Sequence, residues 1–182
     1  MKATGIVRRI DDLGRIVIPK EIRRNLKIRE GDSLEIFTDR EGGVILKKYS
    51  PIGGISDFAG ECAEAMYQTL GCIAAVSDKD SIIAAGGVGK KEIADKTLSE
   101  DIGSIMRRRE KVVSNKGTDL HFYSVTDGDE SFTSQVIVPI IADGDTVGTV
   151  MLLSKEDKHK MGPAELKVAE TVAGFIAKQM EQ

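Results

Sequence analysis

The chain has 182 residues, of which 41% are hydrophobic and 30% charged, and its formal net charge is −3 at pH 7. This composition can bury a core, and the length fits two small domains better than one large one. Residues 1–50 carry a net charge of +4 and residues 51–182 a net charge of −7. This difference in charge predicts that the basic segment, residues 1–50, binds a polyanion.

Composition also excludes several classes of protein. Cys62 and Cys72 are the only cysteines, and they form no C-x-x-C pair, which argues against a disulfide framework or a zinc site. Arg8 and Arg9 come too early for a signal-peptide core, and apolar runs such as 136–142 are too short to span a membrane. We therefore expect a cytoplasmic protein with no membrane partner.

The first fifty residues are predicted to form two hairpins around a short helix. The helix begins near Pro19, a residue favoured at the first helical position, and Ile22 and Leu26 form its apolar stripe. The predicted elements, in chain order, are a strand over 5–10, a turn at 11–14, a strand over 15–18, the helix, and strands over 33–37 and 44–46 joined by Gly42-Gly43.

A unit of about fifty residues buries too little apolar surface to be stable alone without a disulfide, a metal or a partner. This segment has neither cysteine nor a cluster of metal ligands. We therefore predict that two chains combine their strands into one buried core.

A proline, two glycines and two serines mark a linker where the charge changes sign. The predicted domains are 1–50 and 56–182, with 51–55 as the linker. The second domain is predicted to be an α+β fold, an antiparallel sheet with terminal helices. Its predicted elements are a helix over 56–71, strands over 72–76 and 81–84, a helix over 98–106, strands over 111–113, 121–125, 135–141 and 147–153, and a final helix over 163–181.

Six cations crowd the first half of the basic segment, and they are the candidate DNA-binding residues. They are Arg8, Arg9, Arg15, Lys20, Arg23 and Arg24. The planar guanidinium of arginine can pair with phosphate oxygens or with guanine O6 and N7. A solvated charged face is the alternative, and spacing alone does not decide between the two.

Five motifs stand in one ungapped stretch of sequence: GIVR at 5–8, DLGRIVIP at 12–19, EIRR at 21–24, GD at 31–32 and LEI at 34–36. With these motifs, residues 2–50 resemble the AbrB-type swapped-hairpin DNA-binding domain. The resemblance implies a mainly-β dimer of exchanged hairpins that binds double-stranded DNA. It places Arg8, Arg15, Arg23 and Arg24 at the contact positions, whereas Arg9 and Lys20 are phosphate partners on composition only.

Residues 56–182 resemble a GAF domain in their order of elements. The signals are AVSD at 75–78, the hairpin that joins 138–140 to 147–148, and the final helix. This resemblance implies small-molecule sensing and oligomerisation, with a ligand that the residues do not identify. The apolar faces of the two terminal helices predict a helical bundle between GAF domains, and hence a homotetramer.

Together the two domains resemble the regulators of late sporulation in endospore-forming bacteria. The resemblance implies a non-enzymatic transcription regulator that activates some late sporulation genes and represses others, with no resident cofactor. Two alternatives stay open. One is an antitoxin-like protein-binding module, and the other is a GAF-type sulfoxide reductase that uses its cysteines.

Overall fold

The computed structural model describes residues 5–26, 28–49, 52, 55–128 and 132–181. The chain divides into two compact units, residues 1–49 and 50–182. Most of the predicted linker, 51, 53 and 54, lies outside the described residues. Ile52 from this stretch is fully buried in the core of the second unit. None of the described helices is both long enough and apolar enough to cross a membrane.

The described residues of unit 1 form one helix and one paired hairpin. Helix α1 spans Lys20–Asn25, strand β1 spans Leu34–Thr38 and strand β2 spans Val44–Lys48. The strands pair antiparallel, with Ile36 opposite Leu46. Asp39 closes the turn between them, because its Oδ1 accepts hydrogen bonds from the amides of Glu41 and Gly43 at 2.9 and 2.7 Å. The second predicted hairpin and the short helix are therefore present.

The first predicted hairpin differs from its expectation. Residues 5–10 and 15–18 form no strand within one protomer, and only the turn between them is closed by backbone bonds. Two strands with no apolar surface to cover them are at best marginally stable in water. Strand composition alone therefore does not produce a paired hairpin from these two segments within the protomer.

Unit 2 is a five-stranded antiparallel sheet in the order β4-β3-β7-β6-β5, with three α-helices. The elements are α2 (Ser56–Leu70), β3 (Ile73–Ser77), β4 (Ile82–Gly86), α3 (Glu100–Arg108), β5 (Val112–Asn115), β6 (Ser134–Ala142), β7 (Asp145–Ser154) and α4 (Pro163–Met180). Helix α2 ends at Gly71, whose left-handed φ of +71° lets its amide bond Tyr67 O at 2.7 Å.

The two faces of the sheet bury separate apolar clusters. Because strand side chains alternate, Ala74 and Val76 of β3 face α2 and α4, whereas Ile73 and Ala75 face α3. Gly86 allows α2 to lie against β4, since a Cβ there would stand 2.5 Å from Ala63 O. The helices at the two ends of the unit therefore cover one face of the sheet.

The strand predicted over 121–125 is wrong. Tyr123 and Ser124 in the middle of this segment bond through their backbone groups to side chains instead of to a neighbouring strand. Tyr123 N donates to the amide oxygen of the buried Gln135 at 2.7 Å, and the amide nitrogen of Gln135 donates to Tyr123 O at 3.1 Å. Ser124 N donates to Asp101 Oδ2 at 2.9 Å. These bonds replace a ladder and hold the segment as irregular chain.

An ion-paired carboxylate on α4 gives unit 2 a pH-dependent contact. Glu170 accepts from Lys111 Nζ at 2.8 Å and from Lys167 Nζ at 2.6 Å. These hydrogen bonds, that from Lys111 foremost, lower the pKa of Glu170 to about 2 from its ordinary value of 4.5. A carboxylate whose pKa falls on folding stabilises the folded state above its unfolded pKa, and this stabilisation is lost as the pH falls through the folded pKa.

We therefore predict that Glu170→Gln lowers the free energy of unfolding at neutral pH. The deficit should stay constant down to about pH 5 and vanish as the pH approaches 2. Urea unfolding followed by circular dichroism over that pH range measures it. Glu156→Gln is the control, because Glu156 is exposed on the loop after β7 and its side chain bonds to none of the described residues. Equal pH profiles for the two variants would contradict the prediction.

Candidate nucleic-acid interface

One carboxylate organises the turn at residues 11–14. The backbone closes the turn with two bonds of 3.0 Å, from Gly14 N to Asp11 O and from Asp11 N to Arg15 O. Asp11 Oδ1 also accepts from Leu13 N at 3.0 Å and from Arg15 N at 2.8 Å. Gly14 has a φ of +76°, a conformation that glycine adopts without strain. The side chain of Asp11 thus fixes the backbone that leads into Arg15.

The side chain of Arg15 is held by the same carboxylate. Its Nε donates to Asp11 Oδ2 at 2.8 Å, yet 69% of the side chain remains exposed. Hydrogen bonds from the backbone amide and then the side chain of Arg15 lower the pKa of Asp11 below its ordinary 3.8. The terminal nitrogens Nη1 and Nη2 form no bond with any residue that the structure describes. Arg15 is therefore oriented by its neighbour and open to a ligand.

The five other candidate cations are also exposed. Arg8 and Arg9 lie on the extended segment before the turn, and the remaining three lie on α1, which has no buried residue. They are Lys20, Arg23 and Arg24. Within the described parts of the chain, none of these five forms an ion pair. The structure places all six predicted residues in unit 1 and leaves their charges available to a polyanion.

The sequence analysis identifies Arg15 and places Asp11 in the turn at 11–14, but it gives Asp11 no role in orienting Arg15. The signal that could have found its role is the position of Asp11 at the start of a turn. Aspartate in that position hydrogen-bonds the backbone amides that follow it. A carboxylate four residues before an arginine, across a tight turn, then lies within reach of the guanidinium.

Unit 1 also exposes most of its large apolar side chains. Pro19 is the only residue of its described part that is buried. The exposed side chains include Val7 at 89%, Val17 at 73%, Leu13 at 71%, Ile36 at 68%, Ile10 and Val44 at 65%, and Leu26 at 57%. Large apolar side chains gain favourable free energy when they are buried, so a folded unit rarely leaves most of them in water. The described residues of unit 1 therefore form no apolar core within one protomer.

The two cysteines of unit 2 have the properties of structural thiols. Burial raises the pKa of the Cys72 thiol to about 11. Burial, and secondarily the charge of Glu61, raises the pKa of the half-buried Cys62. Reactive cysteines instead have lowered pKa values, because the thiolate is the nucleophile. The apolar periodicity of α2 predicts that Cys62 lies on its buried stripe, and the structure leaves it partly exposed.

Solved structures similar to this chain share the fold of its second unit. The GAF domain of Acinetobacter phosphoenolpyruvate-protein phosphotransferase superposes with a TM-score of 0.57 at 14% identity, covering 74% of this chain and 84% of that domain. The type II free methionine-R-sulfoxide reductase of Thermoplasma acidophilum superposes with a TM-score of 0.51 at 13% identity, covering 69% of this chain and 94% of the reductase. At these identities the likeness concerns the fold alone.

Sequence relatives cover both units of the chain. Stage V sporulation protein T of Bacillus subtilis is 52% identical over 182 residues and is covered completely, as is this chain. The transition state regulatory protein AbrB of the same organism is 45% identical over 102 residues, which are 55% of this chain and 88% of AbrB.

Two family models match successive parts of the sequence. Residues 54–181 match the family described as stage V sporulation protein T C-terminal, transcription factor. Residues 7–53 match the family described as antidote-toxin recognition MazE, bacterial antitoxin.

The fold and the relatives define a two-domain transcription regulator, with an AbrB-like first unit and a GAF-like second unit. The chain belongs to the stage V sporulation protein T family. The predictions of this family, of this pair of folds and of a sporulation transcription regulator are confirmed.

Proposed function

We propose that this regulator binds double-stranded DNA as an intertwined dimer, with Arg8, Arg15, Arg23 and Arg24 at the contacts. Arg9 and Lys20 add phosphate contacts. In this way the protein activates some late sporulation genes and represses others, within the cytoplasm and in association with the nucleoid. The observation that carries the proposal is the exposure of all six cations on a unit that has no core of its own.

The dimer follows from the apolar surface of unit 1. Side chains such as Val7, Val17 and Ile36 gain favourable burial only when another chain covers them. Exchange of the first hairpin between chains would give the segments 5–10 and 15–18 the strand partners that one protomer lacks. Two copies of the arginine set then lie on one particle, which suits the repeating phosphates of a duplex.

A tetramer follows from a second contact through unit 2. The rings of Phe58 on α2 and Phe175 on α4 lie 5.4 Å apart, and 52% of Phe175 is exposed. The partly buried ring of Phe58 supports the exposed ring of Phe175, and this arrangement suits packing against the same helices of another chain. Dimers joined at unit 1 and again at unit 2 through different chains form a closed tetramer. Sedimentation that gives a dimer at every concentration would contradict this assembly.

The second unit receives the signal that adjusts DNA binding, in the form of a small molecule. The fold of unit 2 supports this role, because unit 2 shares that fold with a GAF domain.

The antitoxin-like alternative has one observation in its favour, the match of residues 7–53 to the MazE family. A transition state regulator, AbrB, is likewise 45% identical to this chain over 102 residues. The full-length match to a sporulation protein favours regulation of DNA over toxin binding. The reductase alternative requires an activated thiol, and the raised pKa values of Cys62 and Cys72 argue against it.

The proposal is tested by the salt dependence of duplex binding. The logarithm of the association constant should fall linearly with the logarithm of salt concentration, with a slope of about −0.9 per phosphate contacted. A dimer that uses four arginines per chain gives a slope of about −7 if all of them contact phosphate. Fluorescence anisotropy of the full chain with a labelled duplex measures it. A flat salt profile, or no binding at low salt, would contradict the proposed function.

A further inference from the structure

We infer that Asp11 is a specificity-determining positioning residue, which holds Arg15 so that its outer edge reads a guanine in the major groove. The inference rests on the proposed function, in which Arg15 contacts DNA. It adds a second residue to the interface, one whose negative charge makes it an unexpected neighbour for DNA.

The geometry separates the two edges of the guanidinium. Asp11 Oδ2 engages Nε at 2.8 Å, while Nη1 and Nη2 bond to none of the described residues. With the Nε position fixed, the free nitrogens form a planar pair of donors. Such a pair matches the O6 and N7 acceptors that guanine presents in the major groove.

The anchor itself is rigid. Asp11 Oδ1 accepts the amides of Leu13 and Arg15, and the backbone of Asp11 bonds to that of Arg15. The carboxylate is therefore fixed to the turn that it orients. The Arg15 guanidinium can leave this position only by breaking its hydrogen bond to Asp11 Oδ2. Fixing a long side chain before binding removes part of the entropy cost of immobilising it in the complex.

A carboxylate is unfavourable beside a phosphate contact. It repels the DNA backbone and cancels part of the attraction that makes an arginine useful for non-specific binding. If an arginine contacts only phosphate, an adjacent Asp weakens binding and gives no compensating gain in affinity or specificity. The pairing of Asp11 with Arg15 is favourable where the orientation of the guanidinium matters more than its net charge. A hydrogen bond to a base edge is such a case.

The experiment compares Asp11→Asn with Asp12→Asn in the full chain. Asparagine retains an oxygen that can accept the Leu13 and Arg15 amides, and it is itself favoured in such turns. Its amide nitrogen replaces the oxygen that accepts from Arg15 Nε, so only that hydrogen bond is removed. Asp12 is exposed, and its side chain bonds to none of the described residues. Both variants remove one negative charge, which matches them electrostatically.

The probes are a duplex selected by the unmodified chain from a random library and a non-specific duplex, in which adenine–thymine pairs replace every guanine–cytosine pair of the selected one. Both variants should bind the non-specific duplex slightly more tightly, because each has lost a negative charge. Only Asp11→Asn should lose selectivity for the selected duplex, by about fivefold to tenfold relative to Asp12→Asn. In an Arg15→Ala background, the Asp11→Asn change should have no further effect on selectivity.

The outcomes separate the inference from the proposed function. If Arg15→Ala weakens binding but the two Asn variants are indistinguishable, the positioning role is wrong and the DNA contact stands. If Asp11→Asn reduces selectivity equally with and without Arg15, its effect is on the fold of the turn, and the inference is overturned. If Arg15→Ala binds as the unmodified chain does, the contact fails, and the inference fails with it.

Discussion

Replacing Val17 by Asp is expected to abolish both DNA binding and the association of unit 1. Val17 is 73% exposed in one protomer and lies in the first hairpin, which finds no strand partner there. In the proposed dimer this side chain is buried against the other chain, where an unpaired carboxylate costs several kcal/mol. This cost destabilises the dimer interface. We therefore expect the affinity for duplex DNA to fall by at least about 100-fold.

Val88→Asp is the matched control for this variant. Val88 is 82% exposed on the turn after β4 in unit 2, so the chemical change and the exposure are nearly the same. Duplex binding should be unchanged in Val88→Asp, and sedimentation should give the same mass as the unmodified chain. A Val17→Asp protein that still binds DNA with its original affinity would show that the exposed apolar surface of unit 1 is not an interface.

The fourfold variant Arg8→Ala, Arg15→Ala, Arg23→Ala and Arg24→Ala is expected to lose duplex binding altogether. Removing an arginine from a base costs about 1–3 kcal/mol, and removing one from a phosphate reduces the salt slope by about one. Two chains lose eight arginines in a dimer, so we expect affinity to fall by at least about 1000-fold at moderate salt. Anisotropy titrations at several salt concentrations measure both the affinity and the slope.

A control with the same change in net charge comes from unit 2. Lys90, Lys91, Arg107 and Arg108 are all exposed, and replacing them by Ala removes four cations from the other unit. This variant should keep most of the affinity and the salt slope. If the two fourfold variants bind DNA equally, total charge attracts DNA. If binding is undiminished after removal of the four unit 1 arginines, those arginines are not the contacts.

Much of the fold could be predicted because the apolar periodicity of unit 2 is satisfied within one chain. The predicted helix over 56–71 is observed at Ser56–Leu70, and the final helix over 163–181 at Pro163–Met180. Their apolar faces cover one side of a sheet formed by the same chain. In these helices the apolar periodicity of the sequence and the tertiary packing specify the same structure, so the sequence predicts them correctly.

The first hairpin shows where local pattern does not decide. Residues 5–10 and 15–18 have strand composition but form no strand in the protomer, since a strand exists only through its partners. The segment 121–125 differs from its prediction for another reason. Its backbone is satisfied by the side chains of Gln135 and Asp101, which are distant in sequence, and no periodicity reports such bonds.

The candidate site was predictable in its charges but not in its geometry. All six cations are exposed as expected, because basic residues with no apolar partner stay in water. The hydrogen bond from Arg15 to Asp11 depends on a tight turn and could not be inferred from charge alone. Resemblance assigned the arginines, and only the three-dimensional structure indicates how one of them is oriented.

The central claim is that two basic units must combine before the protein can bind DNA. Native mass spectrometry of the full chain bound to one short duplex tests it most directly, because it counts chains per complex. We expect two or four chains on each duplex at every protein concentration, with no complex of one chain. A stable complex of a single chain with the duplex would contradict the claim.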